Sequence, residues 1–303
     1  MLQLVCACLM AGAISSDPES PDERPKPDKA SGQSWAVILV GIPGDDAHDA
    51  LFRKTADAWQ KWLTDSLQFP AAQVLRFPAP PTDLPAEKIS PATQLTAETI
   101  RKTFAELSSK LGPDDSLWVF TLGHGNYDGK HAWFHVAGRD PSNEDFGRWL
   151  GDLRCREQVL WLTHANSGWF VKPLSKPGRI VIAATAADDE SNETEFPQAL
   201  ASVISKPRQA LDTDQDGRLS VAELFSAVVQ EVAKRFESDK RLPTEHAQLD
   251  DDGDGKGSED VTPKAKPAPD DTAPGSQTPA NARDGDLART TFVPSEEGDA
   301  NKH

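Results

Sequence analysis

The sequence predicts an α/β fold in three layers: a mostly parallel sheet between two sets of helices, followed by a further helical segment. Apolar runs of strand type recur between residues 35 and 185, with stretches of helical period between them. Such alternation favours parallel strands joined by crossover helices. Several runs are apolar at every residue, which marks strands covered on both faces.

The elements follow in order. WAVILVG (35–41) is the first strand, and a helix is expected over 49–67, where Leu51, Thr55, Ala58, Trp59, Trp62 and Leu63 form one stripe. QVLRF (73–77) is a short second strand. The next helix, 97–111, has Thr96 as N-cap and Ile100, Phe104 and Leu107 on one face. SLWVFTL (116–122) is the third strand and HAWFHV (131–136) part of a hairpin. Ser142 and Asp145 open the following helix as a capping box, with Asp in place of Glu or Gln. QVLWLT (158–163) and RIVIAAT (179–185) are the fourth and fifth strands, with helices at 195–204 and 221–236. Trp35, Trp59, Trp62, Trp118 and Trp161 fall at core positions, whereas Trp169 sits beside a strand-end loop.

The flanks differ in character. MLQLVCACLMAGAISS is apolar up to Ala11-Gly12-Ala13, which is similar to a signal-peptidase site. Residues 1–14 are therefore read as a leader and the protein as secreted or periplasmic. Residues 15–33 and 262–303 are rich in Pro, Ser and charge and read as a disordered linker and a disordered acidic tail. Between them lie the α/β domain, 34–206, and a calcium-loop segment, 207–261. With the leader removed, Cys155 is the remaining cysteine, so no intrachain disulfide is expected; it reads as an inert, half-buried thiol. A formal charge of -16 repels nucleic acid and anionic membranes. No segment after the leader is long and apolar enough to span a bilayer.

In a parallel sheet, reactive loops lie beyond the carboxyl ends of the strands. After the third strand comes Gly123-His124-Gly125, and after the fourth comes Thr163-His164-Ala165-Asn166-Ser167-Gly168. The order strand, GHG, helix, strand, small loop ending Ser-Gly resembles the caspase-haemoglobinase fold, and within it the legumain-like cysteine peptidases. The resemblance covers roughly 35–204 and includes the opening WAVILVGIPGDDAHDALFRKTADAW. It implies a caspase-like domain with His124 at the catalytic histidine and Ala165 where the nucleophilic cysteine belongs. A methyl group cannot attack a carbonyl. The resemblance therefore implies a degenerate peptidase with a vestigial His124 and a strand-end cleft for a peptide or protein partner. Two alternatives remain open: a hydrolase or peptidase using His124 with Ser167 or another, unrecognised nucleophile, and a metal shared by His124 and His164.

A second constellation lies downstream. LDTDQDGRLSVAEL (211–224) places Asp212, Asp214 and Asp216 at loop positions 1, 3 and 5 and Gly217 at 6. The Arg218 carbonyl falls at 7, Ser220 at 9 and Glu223 at 12, which is the EF-hand pattern for Ca²⁺. The exiting helix carries an apolar stripe, Leu224, Phe225, Val228, Val229, Val232 and Phe236, while Pro207 cuts the entering helix short. A second loop begins at Asp250, with Asp252, Asp254 and Gly255 in register, but its position 12 is Val261, which cannot ligate. The stretch TEHAQLDDDGDG around it resembles a segment of bacterial relatives of the fold.

Overall fold

A computed structural model of the chain describes residues 32–77, 95–188, 190–261 and 283–294. The expected leader, nearly all of the linker and most of the 262–303 tail lie outside the described residues. The strands are β1 (Ser34–Val40), β2 (Val74–Phe77), β3 (Ser116–Leu122), β4 (Gly125–Tyr127), β5 (Ala132–Phe134), β6 (Glu157–Leu162), β7 (Arg179–Ala183) and β8 (Gln248–Asp250). The α-helices are α1 (Asp46–Lys61), α2 (Ala97–Lys110), α3 (Asn143–Gly151), α4 (Gly168–Leu174), α5 (Phe196–Val203) and α6 (Val221–Ser238).

The main sheet runs β2-β1-β3-β6-β7-β8. β2, β1, β3, β6 and β7 are mutually parallel, and β8 closes the edge antiparallel to β7. β4 and β5 form the expected hairpin. Every residue of β3 and of β7 is buried, as their continuous apolar sequences require. Successive side chains take opposite faces. Trp118 and Phe120 thus join Phe52, Trp59, Trp161, Phe196 and Phe225 in a core under α1, α5 and α6. Leu117 and Val119 join Phe104, Phe134, Phe146 and Phe170 under α2, α3 and α4. Each fully buried aromatic of this kind contributes about 1.5–3 kcal/mol relative to exposure. Trp35 packs against the second core while remaining partly exposed.

The local signals act as read. Thr96 accepts from the Thr99 amide at the start of α2, and Ser142 and Asp145 form a reciprocal capping box on α3. α1 begins at Asp46, with Asp45 as its cap, and widens into a π-turn over Trp62–Ser66.

Three features depart from the sequence reading. Residues 168–174, to which the sequence reading assigns no element beyond the end of the loop at Gly168, form α4, a short helix with an internal Pro173 and no amphipathic period to reveal it. β8 lies inside the acidic run and joins the main sheet, so the 34–206 and 207–261 segments share one sheet. Residues 283–294, assigned to a tail with almost nothing to bury, pack on the first core through Ala288 (0% exposed) and Val293 (2%). Pro207 cuts the entry to the 212–223 loop short, leaving a 3-10 turn, Arg208–Ala210.

Arg179 fixes the underside of this architecture. Its buried guanidinium donates to the carbonyls of Leu150 and Leu174, in the last turns of α3 and α4, and to Gln158 Oε1. Helix-terminal carbonyls need such donors when water is excluded. Burial lowers this guanidinium to about 10. Among the described residues, no helix is long and apolar enough to cross a membrane.

Candidate functional sites at the strand ends and in the acidic loops

The loops leaving β3 and β6 meet because those strands are neighbours in register. A Cβ on Gly125 would lie 2.6 Å from the Ala165 carbonyl oxygen and 2.8 Å from His164 Nδ1, so the approach requires glycine. His124 turns toward α1. Its Nε2 lies 3.0 Å from the Pro43 carbonyl, which fixes the proton on that nitrogen. Its ring rests on His48 and Phe52, with centroids 5.1 and 5.3 Å away. His48 bridges Glu193 at 3.1 Å and Asp45 at 2.8 Å, and these hydrogen bonds, Glu193 first, raise its pKa.

The loop after β6 is sealed. Ala165 is 6% exposed and Ser167 fully buried. Ser167 Oγ accepts the Ala184 amide at 2.9 Å and lies 3.5 Å from Thr185 Oγ1, which in turn accepts the Gly168 amide. The hydroxyl thus ties the loop to the end of β7 and makes no hydrogen bond to His124. The geometry runs against the expectation of Ser167 as nucleophile. His164 is also fully buried, wedged between Phe134 and Phe170 at 5.0 and 4.9 Å. Its Nδ1 donates to the Ala165 carbonyl, Nε2 has no partner, and burial depresses it to about 4. Among the described residues, neither His124 nor His164 belongs to a convergent ligand group, so the structure lends nothing to a metal shared between them.

Asn166 takes a left-handed conformation (φ 58°), and its amide donates to the Glu190 carbonyl at 3.2 Å. Trp169 stacks on Tyr127 with centroids 4.1 Å apart and planes 6° from parallel, forming an aromatic wall beside the loop. Cys155 is buried, and burial lifts its thiol to about 11, so it holds no thiolate at neutral pH.

The 212–223 loop is built from its own carboxylates. Gly217 has φ +83°, with nothing near where a Cβ would stand. Asp212 Oδ2 accepts the Gly217 amide at 2.9 Å, Asp214 accepts that of Asp216 at 3.1 Å, and Asp216 accepts that of Arg218 at 2.8 Å. Asp212, Asp214 and Asp216 converge, with candidate ligand oxygens within 4.8 Å of one another. Asp212 Oδ1 is shielded from solvent and has no partner. At Asp214 the Asp216 amide lowers the pKa, yet desolvation and the charges of Asp216, Glu223 and Asp212 outweigh it, so the net shift is upward. Ser220 and Glu223 form the capping box of α6. Glu223 Oε1 accepts the Thr213 amide at 2.7 Å and that of Asp214 at 3.3 Å. It thus closes the loop through its backbone and lies outside the three-carboxylate cluster.

In the second loop the convergent group is Asp250, Asp252 and Asp284. Asp254 instead accepts the Lys256 amide at 2.8 Å. Val261, at position 12, is buried. Asp284 comes from 283–294 and accepts from Ser258 Oγ at 2.6 Å; burial raises its pKa to about 6. Loop spacing gives no signal for it, because it reaches the site through tertiary packing.

Neither a family model nor a curated relative matches this chain by sequence. Among solved structures it is similar to drICE, at 13% identity and a TM-score of 0.40 over 73% of this chain and 87% of that one. It is also similar to caspase-1 from Spodoptera frugiperda, at 14% identity and a TM-score of 0.45 over 77% of this chain and 95% of that one. These likenesses are of fold alone.

Proposed function

We propose that this chain is an exported calcium-binding protein on a caspase-like scaffold of legumain type that lacks the peptidase nucleophile. The convergence of Asp212, Asp214 and Asp216 carries this reading. Three carboxylates held together repel one another, and a hard divalent cation among them offsets that cost. The unpartnered Asp212 Oδ1 is a ready ligand. In this reading Glu223 exchanges its amide bonds for the metal, the Arg218 carbonyl supplies a further oxygen, and Ser220 ligates or holds a water. Asp250, Asp252 and Asp284 form a weaker second site, with Asp254 at its margin.

Without a full entering helix the loop is poorly preorganised, so an affinity of ~10⁻⁴–10⁻³ M, typical of extracellular modules, is expected. That affinity suits a secreted or periplasmic protein. In this reading a peptide or protein partner takes the strand-end surface beside the stacked Trp169 and Tyr127. Cysteine-peptidase chemistry is excluded in this reading because Ala165 offers no nucleophile. The hydrolase alternative would have to free Ser167 from the Ala184 amide.

Calorimetric titration of Ca²⁺ into the intact chain tests the reading. A saturable signal whose tighter component is lost in the Asp212→Ala, Glu223→Ala double variant supports it, and no binding at millimolar Ca²⁺ overturns it. A peptide and ester library tests the scaffold: the unmodified protein is expected to give no turnover that His124→Ala removes. Turnover gained by Ala165→Cys and lost with His124→Ala would support the assigned register.

A further inference from the structure

Residues 283–294 touch both acidic loops. At one end Asp284 accepts the Asp251 amide at 3.2 Å and Ser258 Oγ at 2.6 Å. In return, Asp251 accepts the Gly285 and Ala288 amides at 2.9 and 2.7 Å. At the other end the segment lies along the 212–223 loop. The Val293 amide donates to the Leu219 carbonyl at 2.8 Å, and Phe292 bridges to Ser220. The Arg218 guanidinium sits 3.3 Å over the Phe292 ring. Arg208, just ahead of the loop, donates to the Val293 and Pro294 carbonyls.

The segment also completes the start of α6. The first amides of a helix have no partner within it. Here Val221 donates to the Thr291 carbonyl at 2.8 Å and Ala222 to that of Ala288 at 3.2 Å. Glu223, whose carboxylate must reach any cation in the loop, stands on that same first turn. Docking of 283–294 therefore fixes Leu219, Ser220, Val221 and Ala222, the residues leading into Glu223. Any ligand that draws Glu223 and Arg218 into one arrangement acts on the surface the segment grips.

We infer that residues 283–294 are a clasp whose docking is coupled to calcium in the 212–223 loop: the clasp raises the loop's affinity, and the ion tightens the clasp. This rests on the calcium reading of that loop. Linkage makes the two effects equal in free energy, and couplings of this kind typically change affinity ~5–150-fold.

The test uses the full chain. Calcium affinity is measured by calorimetry for the unmodified protein, for Phe292→Ala, which removes the ring under Arg218, and for Arg208→Met, which removes the donors to Val293 and Pro294. Both variants are expected to bind Ca²⁺ at least about fivefold more weakly. In the unmodified protein, Ca²⁺ is expected to slow hydrogen exchange at the Val221, Ala222 and Val293 amides. Both variants are checked for folding by circular dichroism, and the exchange measurement stands without them. Unchanged affinity in both folded variants, or exchange at those amides indifferent to Ca²⁺ while binding is seen, overturns the clasp and leaves the calcium site standing. No binding by the unmodified chain overturns both.

Discussion

The strand-end loop and the 212–223 loop are both tight polar turns, but they dispose of their polar atoms in opposite ways. After β6, the Ser167 hydroxyl accepts the Ala184 amide and His164 Nδ1 donates to the Ala165 carbonyl; both side chains are fully buried, and Ala165, one of the two residues between them, carries only a methyl. In the acidic loop three carboxylates crowd within 4.8 Å, and one oxygen, Asp212 Oδ1, is hidden from solvent without a partner. The first loop has turned its groups inward to hold β6, β7 and α4 together. The second retains ligand capacity directed at a common point. What separates the two turns is convergence: the unpartnered atoms of the first, His164 Nε2 and Asn166 Oδ1, belong to no common ligand group among the described residues, whereas the carboxylates of the second do.

This contrast can be broken most strongly through pH. His164 is neutral when buried, with a pKa of about 4 against 6.5 for an ordinary histidine. The unfolded chain therefore binds a proton between those values that the folded chain does not. Stability should be full above pH 6.5 and fall as pH drops toward 4, by on the order of 3 kcal/mol. Urea unfolding across that window is expected to show this slope, and His164→Phe to flatten it. A slope unchanged by the substitution would mean that His164 is not the sealed group described.

Ser167→Ala probes the same loop with a smaller effect. Removing the hydroxyl leaves the Ala184 amide buried and unpaired, which costs about 1–3 kcal/mol. Calcium affinity should be unaffected, since the two loops share no ligand. A variant as stable as the parent would show that Ser167 does not hold the loop.

Gly217→Ala sharpens the other side. At φ +83° an alanine is strained by about 1–2 kcal/mol although space is open. Calcium affinity is expected to fall with little loss of strand-end order. Unchanged affinity would show that the turn at Gly217 does not shape the site.

The sequence made the sheet legible where burial left its imprint on every residue, as in β1, β3, β6 and β7. The caps at Thr96 and Ser142 were legible because capping is local. α4 was not, since its apolar residues follow a loop without a repeating face and include Pro173. β8 was hidden in an acidic run that reads as solvated, yet Asp250 is fully buried. The carboxylates of the first acidic loop were readable from spacing alone. Asp284 was not, because packing that places Ala288 and Val293 in the core brings it there. The burial of Ser167 was likewise invisible: a small polar residue in a turn looks the same whether it faces solvent or the end of a neighbouring strand.

The most direct measurement is thermal unfolding of the intact protein with and without Ca²⁺, with Mg²⁺ as control. At 10 mM Ca²⁺, ten to a hundred times the expected dissociation constant, binding to the folded state should add roughly 1.4–2.7 kcal/mol and raise Tm by about 3–10 °C. Glu223→Gln should abolish most of that rise, measured against its own metal-free Tm. A Tm indifferent to Ca²⁺, or raised equally by Mg²⁺ and in Glu223→Gln, would contradict a calcium site in the 212–223 loop.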